Sequence, residues 1–215
     1  MILTKNQRDV ISEAFRSVID EVVVEHYDAL TQEHQLSSRI GQALEDKLNG
    51  ERFLGAGLSI ITQDMPDKGI GALEKKIGTD MFIGVSVEGQ FDKGFLVQSK
   101  WLHNVDPKLP QQCQRMLDIT AASFVWFYGA RGVRIQRAEK VIEGLMHTRH
   151  QERTWSENPA KLMGDVLACR RGDHSLGIPA GPNRRARLTS MLKQMAAGTA
   201  VSIAVKPWGE DIRDM

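Results

Sequence analysis

Hydrophobic residues recur at helical spacing in two stretches near the start of the chain. From Asn6 to Leu30, apolar residues at positions 10, 11, 15, 18, 19 and 22 predict an amphipathic helix. From Glu33 to Leu48, apolar residues at positions 36, 40, 43, 44 and 48 predict a second one. Each helix has one apolar stripe to bury, so both are expected to pack against another element.

Runs of β-branched and aromatic residues follow these helices and predict strands. Two of them, Met81 to Glu88 and Gly94 to Trp101, are separated by a five-residue loop and read as a hairpin. The other elements predicted before residue 140 are a strand from Ala56 to Thr62, a helix from Pro110 to about Ala122, and strands from Ser123 to Tyr128 and from Gly132 to Ala138. The core order is therefore α-β-β-β-α-β.

The last third of the chain is more irregular. It predicts helices from Pro159 to Cys169 and from Asn183 to Ala197, a Gly/Pro-rich loop at 172–182, and a strand from Thr199 to Val205. With 215 residues, 41% hydrophobic and 26% charged, the chain has the composition of one globular domain with additions. We expect an N-terminal helical extension (1–32), a core (33–140) and C-terminal additions packed on the same domain (141–215).

The hairpin carries the candidate chemistry. Side chains alternate between the two faces of a strand, so Gln98 and Lys100 share one face and Ser99 takes the other. If the turn centres near Phe91, Lys100 lies opposite Phe82 and diagonally beside Asp80. A carboxylate, an amide and an ammonium group would then meet at one strand end.

Such a set suits metal-dependent hydrolysis of a phosphodiester, which needs neutralised phosphate charge and an activated water. Asp80 is the candidate anionic metal ligand, and the Gln98 side-chain carbonyl and the Ser99 backbone carbonyl are neutral oxygen ligands. Lys100 is the candidate for orienting or deprotonating the water, or for screening charge on the phosphate. The alternative is that Asp80 and Lys100 are ordinary solvated residues at a strand end.

Gly78-Thr79-Asp80 before an apolar strand, followed by Val97-Gln98-Ser99-Lys100, resembles the GxD…QxK variant of the PD-(D/E)xK nuclease superfamily. In that variant Gln replaces the usual acid, and the resemblance covers roughly residues 33 to 140. It implies a restriction endonuclease-like α/β fold with a mixed central sheet flanked by helices. It also implies an endodeoxyribonuclease that uses Mg²⁺, or Mn²⁺ as a substitute, in restriction or anti-phage defence.

Nucleases of this kind usually carry a further acid on the helix before the sheet. At 100° per residue, Glu33 falls within the apolar stripe of its helix, whereas Glu45 lies about 120° away. Glu33 is therefore our candidate, because an acid facing the core requires compensation. The alternative is that Glu33 only begins the helix, where it interacts favourably with the dipole. Glu45 and Glu74 remain substitutes.

Charge is unevenly distributed along the chain. Residues 1–100 carry 11 basic and 16 acidic residues, a net charge of −5, and the remainder carries 17 and 11, a net charge of +6. Candidate phosphate contacts in the basic half are Arg131, Arg134, Arg137, Arg170, Arg171, Arg184, Arg185 and Arg187, although a solvated face explains each cluster equally well. Glutamines 111, 112 and 114 are similar to those that some superfamily members place near the active site.

Other classes of site find little support. Two isolated cysteines, Cys113 and Cys169, predict reduced thiols, and the six histidines show no zinc pattern. No apolar run approaches the length of a membrane span and no signal-peptide pattern begins the chain, so we expect a cytoplasmic protein. We expect DNA as the substrate, a partner protein that supplies target recognition, and a homodimer if both strands are cut.

Two other functions remain open. The first is a catalytically inactive module of the same fold that binds nucleic acid or a partner protein, with Gln98 marking the loss of a ligand carboxylate. The second is an unrelated α/β interaction protein in which Asp80 and Lys100 form only a structural ion pair.

Overall fold

The computed structural model describes residues 2–29, 32–65, 79–103, 106–147 and 157–207. Its α-helices are α1 (Lys5–His26), α2 (Glu33–Leu48), α3 (Leu109–Leu117), α4 (Ala138–His147), α5 (Pro159–Leu167) and α6 (Arg184–Gln194), with a 3-10 helix at His174–Leu176. Its strands are β1 (Arg52–Phe53), β2 (Ala56–Asp64), β3 (Met81–Val87), β4 (Phe91–Trp101), β5 (Ser123–Gly129), β6 (Gly132–Arg137) and β7 (Thr199–Pro207).

The strands form one mixed sheet in the order β1-β2-β7-β3-β4-β5-β6. Strands β3 and β4 are an antiparallel hairpin, whereas β4 pairs with β5, and β3 with β7, in parallel. The predicted α/β class with a mixed central sheet flanked by helices is therefore confirmed.

Strand β7 comes from the region assigned to C-terminal additions, yet it lies in the middle of the sheet. It is antiparallel to β2 over nine residues and parallel to β3 over residues 199–205, so it separates β2 from β3. Its burial explains this place, because seven consecutive residues from Thr199 to Val205 are buried. A strand buried on both faces is typical of a sheet centre covered by helices.

Two apolar layers cover the sheet. On one side, which we call the α1 face, α1, α2 and α5 pack against the strand residues that include Val97 and Tyr128. On the other side, the α3 face, α3, α4 and α6 pack against residues that include Phe82, Leu96 and Val125. Each strand alternates between the two layers, which fixes the face that every site residue takes.

Several boundaries differ from the sequence expectation. Helix α1 begins at a capping box, in which Thr4 and Gln7 bond each other's backbone N–H groups, and it ends at His26 rather than at Leu30. Helix α3 ends at Leu117 rather than at Ala122, because the chain turns there to enter β5. The two-residue strand β1 was not predicted.

Helix α2 has the bounds that the apolar spacing predicted, and it approaches the sheet closely at Gly41. A Cβ added at Gly41 would lie 2.9 Å from Thr62 Cγ2 and 3.0 Å from Thr199 Cγ2. Such separations lie inside ordinary van der Waals contact, so a larger residue would push α2 away from β2 and β7. Glycine therefore sets the distance between α2 and the sheet.

We expect Gly41→Ala to lower the free energy of unfolding by about 1–3 kcal/mol, since the added methyl group overpacks the space between helix and sheet. Urea denaturation followed by circular dichroism measures the change. Gly144→Ala is the matched control, because a Cβ there meets nothing within 4 Å and should stabilise α4 by about 0.5–1 kcal/mol. Equal effects of the two substitutions would contradict this packing argument.

Candidate functional site

The β3–β4 hairpin is tighter than the sequence suggested. Its turn comprises residues 88–90, where Gly89 has a φ of +73° and Gln90 N–H bonds the Val87 carbonyl. Phe82 pairs with Leu96, so the predicted pairing of Phe82 with Lys100 is wrong by four residues. An even shift leaves every side chain on its predicted face, and Lys100 is still diagonal to Asp80.

Asp80 extends β3 by one residue and is held from both sides. Its backbone N–H donates to the Val97 carbonyl at 2.9 Å, and its carbonyl accepts from the Thr199 N–H at 3.0 Å. The residue is only 8% exposed, and its Oδ2 accepts from the Ser99 N–H at 2.9 Å. The carboxylate is therefore fixed against β4 at the end of the hairpin.

Gln98 lies beside Asp80 on the α3 face and binds it directly. Its Nε2 donates to Asp80 Oδ2 and, at 3.2 Å, to the Ser99 carbonyl. Gln98 is 2% exposed, and its Oε1 is buried without a hydrogen-bond partner among the described residues. One amide thus bridges two oxygens while its own oxygen is unsatisfied, which is costly in a protein interior.

Lys100 lies two residues further along the same face and is 5% exposed. Its Nζ is 3.8 Å from Asp106 Oδ2. Strand β4, which carries Lys100, contacts α3. Burial raises the pKa of the Cys113 thiol to about 12, and the nearby Lys100 ammonium acts to lower it. The ammonium therefore lies at the boundary between an apolar layer and the site.

Glu33 is the first residue of α2 and is half-buried on the α1 face. Its charge acts on Tyr128, since burial raises the pKa of the Tyr128 hydroxyl and the nearby Asp80 and Glu33 carboxylates raise it further. No direct bond joins the side chain of Glu33 to those of Asp80, Gln98 or Lys100 among the described contacts. The role of Glu33 as the helix-borne acid stays a prediction.

Of the two alternatives to Glu33 as the helix-borne acid, the structure describes only Glu45. Glu45 Oε2 accepts a hydrogen bond from the Thr62 N–H at 2.6 Å, so its carboxylate is tied to the backbone of β2. Glu74 lies outside the described residues.

Sequence reasoning missed two sets of polar residues that contact Ser99 and Thr199, the neighbours of Asp80. Ser37 and Tyr128 place buried hydroxyl groups against Ser99 on the α1 face. Asp64, the last residue of β2, accepts from Thr199 Oγ1 at 2.7 Å, and the Thr199 N–H donates to the Asp80 carbonyl. Asp64 could have been predicted from the sequence, because it is an acid at the end of a strand. No sequence pattern identifies the hydroxyl groups of Ser37 and Tyr128.

Gln112, one of three glutamines named from the sequence, is half-buried on α3. Its Oε1 is also buried without a partner among the described residues. Since α3 packs on β4 and β5, this oxygen lies on the same face as Gln98.

Several arginines proposed as phosphate contacts have other partners. Arg184 is buried and donates to the hydroxyl and carbonyl groups of Ser59 and Ser202, which joins β2 to β7. Burial lowers the pKa of Arg184 to about 10. Arg171 forms a bidentate pair with Glu157, and Arg170 bonds Asp165. Phosphate contact by Arg184 is therefore wrong.

The oxygen atoms around Gln98 fit a hard divalent cation. The Asp80 carboxylate and the Ser99 carbonyl both approach the Gln98 amide, and rotation of that amide would turn a third oxygen, the unsatisfied Oε1, towards them. Within the described part of the chain, no group of three or more His, Cys, Asp or Glu residues has an arrangement that suits a metal ion. A cation here would depend on amide and backbone oxygens around one carboxylate.

We expect Gln98→Glu to destabilise the protein by about 2–4 kcal/mol in EDTA, because it removes a donor to Asp80 and brings two buried carboxylates together. Mg²⁺ should restore more stability to this variant than it adds to the wild type, as followed by thermal denaturation.

Gln42→Glu is the matched control, since Gln42 also donates to an aspartate, Asp46, but in an exposed pair. It should change stability by at most about 0.5 kcal/mol, with no response to Mg²⁺. A similar response of both variants to Mg²⁺ would argue against a cation at Asp80.

We expect a thiol reagent at pH 8 to modify one of the two cysteines of the native protein. Cys169 is exposed, whereas Cys113 is buried with its pKa raised to about 12, so its thiol stays protonated far above pH 8. Colour release from an aromatic disulfide reagent counts the thiols. Cys169→Ser should abolish the native reaction, and reaction of Cys113 without denaturant would refute its burial.

Comparison with known proteins adds no relative: no protein-family model, curated protein or solved structure matches this chain. Among the described residues, no helix has the length and apolar character needed to cross a membrane. The functional argument for this α/β protein therefore depends on the geometry around Asp80, Gln98 and Lys100.

Proposed function

We propose that this protein is a Mg²⁺-dependent endodeoxyribonuclease. One observation carries the proposal: a buried carboxylate, an amide with an unsatisfied oxygen, a backbone carbonyl and a nearly buried ammonium gather at the end of one hairpin. Buried polar groups that leave an acceptor unsatisfied are uncommon in a stable core and frequent where a ligand binds.

Asp80, the Gln98 side-chain oxygen and the Ser99 carbonyl would hold the cation. When bound, Mg²⁺ neutralises phosphate charge and lowers the pKa of a water molecule. Binding requires the Gln98 amide to turn, so that its oxygen rather than its nitrogen faces Asp80. Gln98 would then give up its two donor contacts, to Asp80 and to the Ser99 carbonyl, and its unsatisfied Oε1 would gain a partner.

Lys100 would orient the attacking water or screen the charge of the reacting phosphate. Its position diagonal to Asp80 on the same face supports this role, since an ammonium and a carboxylate so placed could act on one phosphodiester. Its limited exposure strengthens its interaction with a phosphate, because fewer waters compete for the ammonium. Glu33 would contribute the helix-borne acid from the opposite side of the sheet end.

DNA is the substrate that the resemblance implies, and exposed basic residues offer contacts to its backbone. Arg185 and Arg187 are exposed on α6, which packs on the same face as Gln98 and Lys100. Cleavage of both strands would require two sites and hence a homodimer. Target recognition by a partner protein and a role in restriction or anti-phage defence remain part of this proposal.

We expect the purified protein to nick or linearise supercoiled DNA in Mg²⁺ or Mn²⁺ and to be inactive in EDTA. Asp80→Ala should abolish cleavage because it removes the charged ligand, and Lys100→Ala should slow it by about 100- to 1,000-fold. Gel electrophoresis of supercoiled and linear plasmid follows the reaction.

Lys140→Ala is the matched control for Lys100→Ala, since Lys140 forms an exposed pair with Glu143 on α4. It should cleave at the wild-type rate. Cleavage that survives in Asp80→Ala, or in EDTA, would rule out the proposed site.

A catalytically inactive module that binds nucleic acid or a partner protein is the second candidate. It is favoured by the Gln98 amide, which already satisfies Asp80 Oδ2 without a cation and carries no charge of its own. DNA binding that is unaffected by metal ions, without cleavage in any of them, would support this function over the enzyme.

A further inference from the structure

Three buried hydroxyl groups meet directly behind the candidate site, on the α1 face. Ser37 Oγ lies 2.8 Å from Ser99 Oγ and 2.9 Å from Tyr128 OH, and Ser99 Oγ lies 2.9 Å from Tyr128 OH. All three residues are 0% exposed. We call Ser37, Ser99 and Tyr128 the hydroxyl triad.

The hydroxyl triad connects two parts of the candidate site. On one side, the N–H of Ser99 donates to Asp80 Oδ2. On the other, Ser37 Oγ donates to the carbonyl of Glu33 at 3.1 Å. A chain of bonded groups thus runs from the first turn of α2 to the carboxylate at the end of the hairpin.

The hydrogen bonds of the triad are limited by the number of protons. Three hydroxyl groups supply three protons for four contacts, counting the one to the Glu33 carbonyl. If Ser37 donates to Glu33, then Ser99 and Tyr128 are the donors within the triad. Removal of the Tyr128 hydroxyl takes away one proton and both contacts that join Tyr128 to Ser37 and Ser99. Tyr128 remains a donor at ordinary pH, since burial raises its pKa.

Apolar groups of the same volume would fill this space at a lower desolvation cost than three hydroxyl groups. Buried hydroxyl groups are costly unless each finds a partner at hydrogen-bond distance, so they favour a single spacing between α2 and β4. Aliphatic side chains in the same place, by contrast, would tolerate small shifts of α2, because their contacts are not directional.

We propose that Tyr128 is a positioning residue, whose hydroxyl group fixes the spacing between Glu33 at the start of α2 and the Asp80–Gln98 pair. The inference rests on the proposed function, because that spacing matters only if both acids serve one cation. Tyr128 acts through Ser37 and Ser99 and does not itself contact substrate.

Tyr128→Phe removes the hydroxyl group and keeps the ring, which packs edge-on against Trp101. We expect it to weaken Mn²⁺ binding by about tenfold or more, as loss of an outer-sphere partner commonly does. Electron paramagnetic resonance of free Mn²⁺ gives the dissociation constant without any need for cleavage. In the cleavage assay, KM for DNA should stay unchanged and excess metal should restore the rate.

Tyr27→Phe is the matched control, because Tyr27 is the only other tyrosine and its hydroxyl bonds the exposed His103. It should bind Mn²⁺ like the wild type. Ser37→Ala tests the same chain of bonds with a smaller change. Its effect and that of Tyr128→Phe should be less than additive when the two are combined, since both break one network.

The outcomes separate the two proposals. If the wild type binds Mn²⁺ through Asp80, and both Tyr128→Phe and Ser37→Ala bind it equally well, the positioning role is overturned while the nuclease proposal stands. A lower folded fraction without a change in the dissociation constant would likewise reduce the triad to a structural role. If the wild type neither binds Mn²⁺ nor cuts DNA, the proposed function fails and this inference fails with it.

Discussion

The site depends on the way Asp80 is tied to the strands on both sides of it. Its N–H binds β4, its carbonyl binds β7, and its carboxylate binds the N–H of Ser99. Because side chains alternate along β4, this one alignment brings Gln98 beside the carboxylate and Lys100 diagonal to it. The remaining chemistry of the hairpin follows from that arrangement, since backbone pairing rather than a loop places Gln98, Ser99 and Lys100 against Asp80.

Electrostatics explain why a neutral glutamine, rather than a second acid, is suitable at position 98 beside Asp80. A buried carboxylate is stable when hydrogen-bond donors compensate it, and Asp80 accepts from the Ser99 N–H and the Gln98 amide. A second carboxylate in place of Gln98 would add a charge that only a cation could offset. The glutamine therefore spares the hairpin end a second buried charge and donates to Asp80 in the absence of a metal ion.

Periodicity in the sequence predicted most of the helices and strands and the face that each side chain takes, but it did not predict how the strands pair. The bounds of α2 and the shared face of Gln98 and Lys100 follow from residue spacing alone. The hairpin register did not, because the positive φ of Gly89 shortens the turn and moves the pairing by four residues. The burial of Arg184 was also invisible, since its partners Ser59 and Ser202 come from distant strands that only the fold brings together.

The central place of β7 has a consequence for biosynthesis. Strand β2 and the hairpin beside Asp80 acquire their common neighbour only after residues 199–207 have left the ribosome. Pairing across such sequence separations raises contact order and slows folding, and it leaves two long edges open in the nascent chain. If the end of the hairpin is the proposed hydrolytic centre, it would stay inert until residues 199–207 had emerged and paired with both strands.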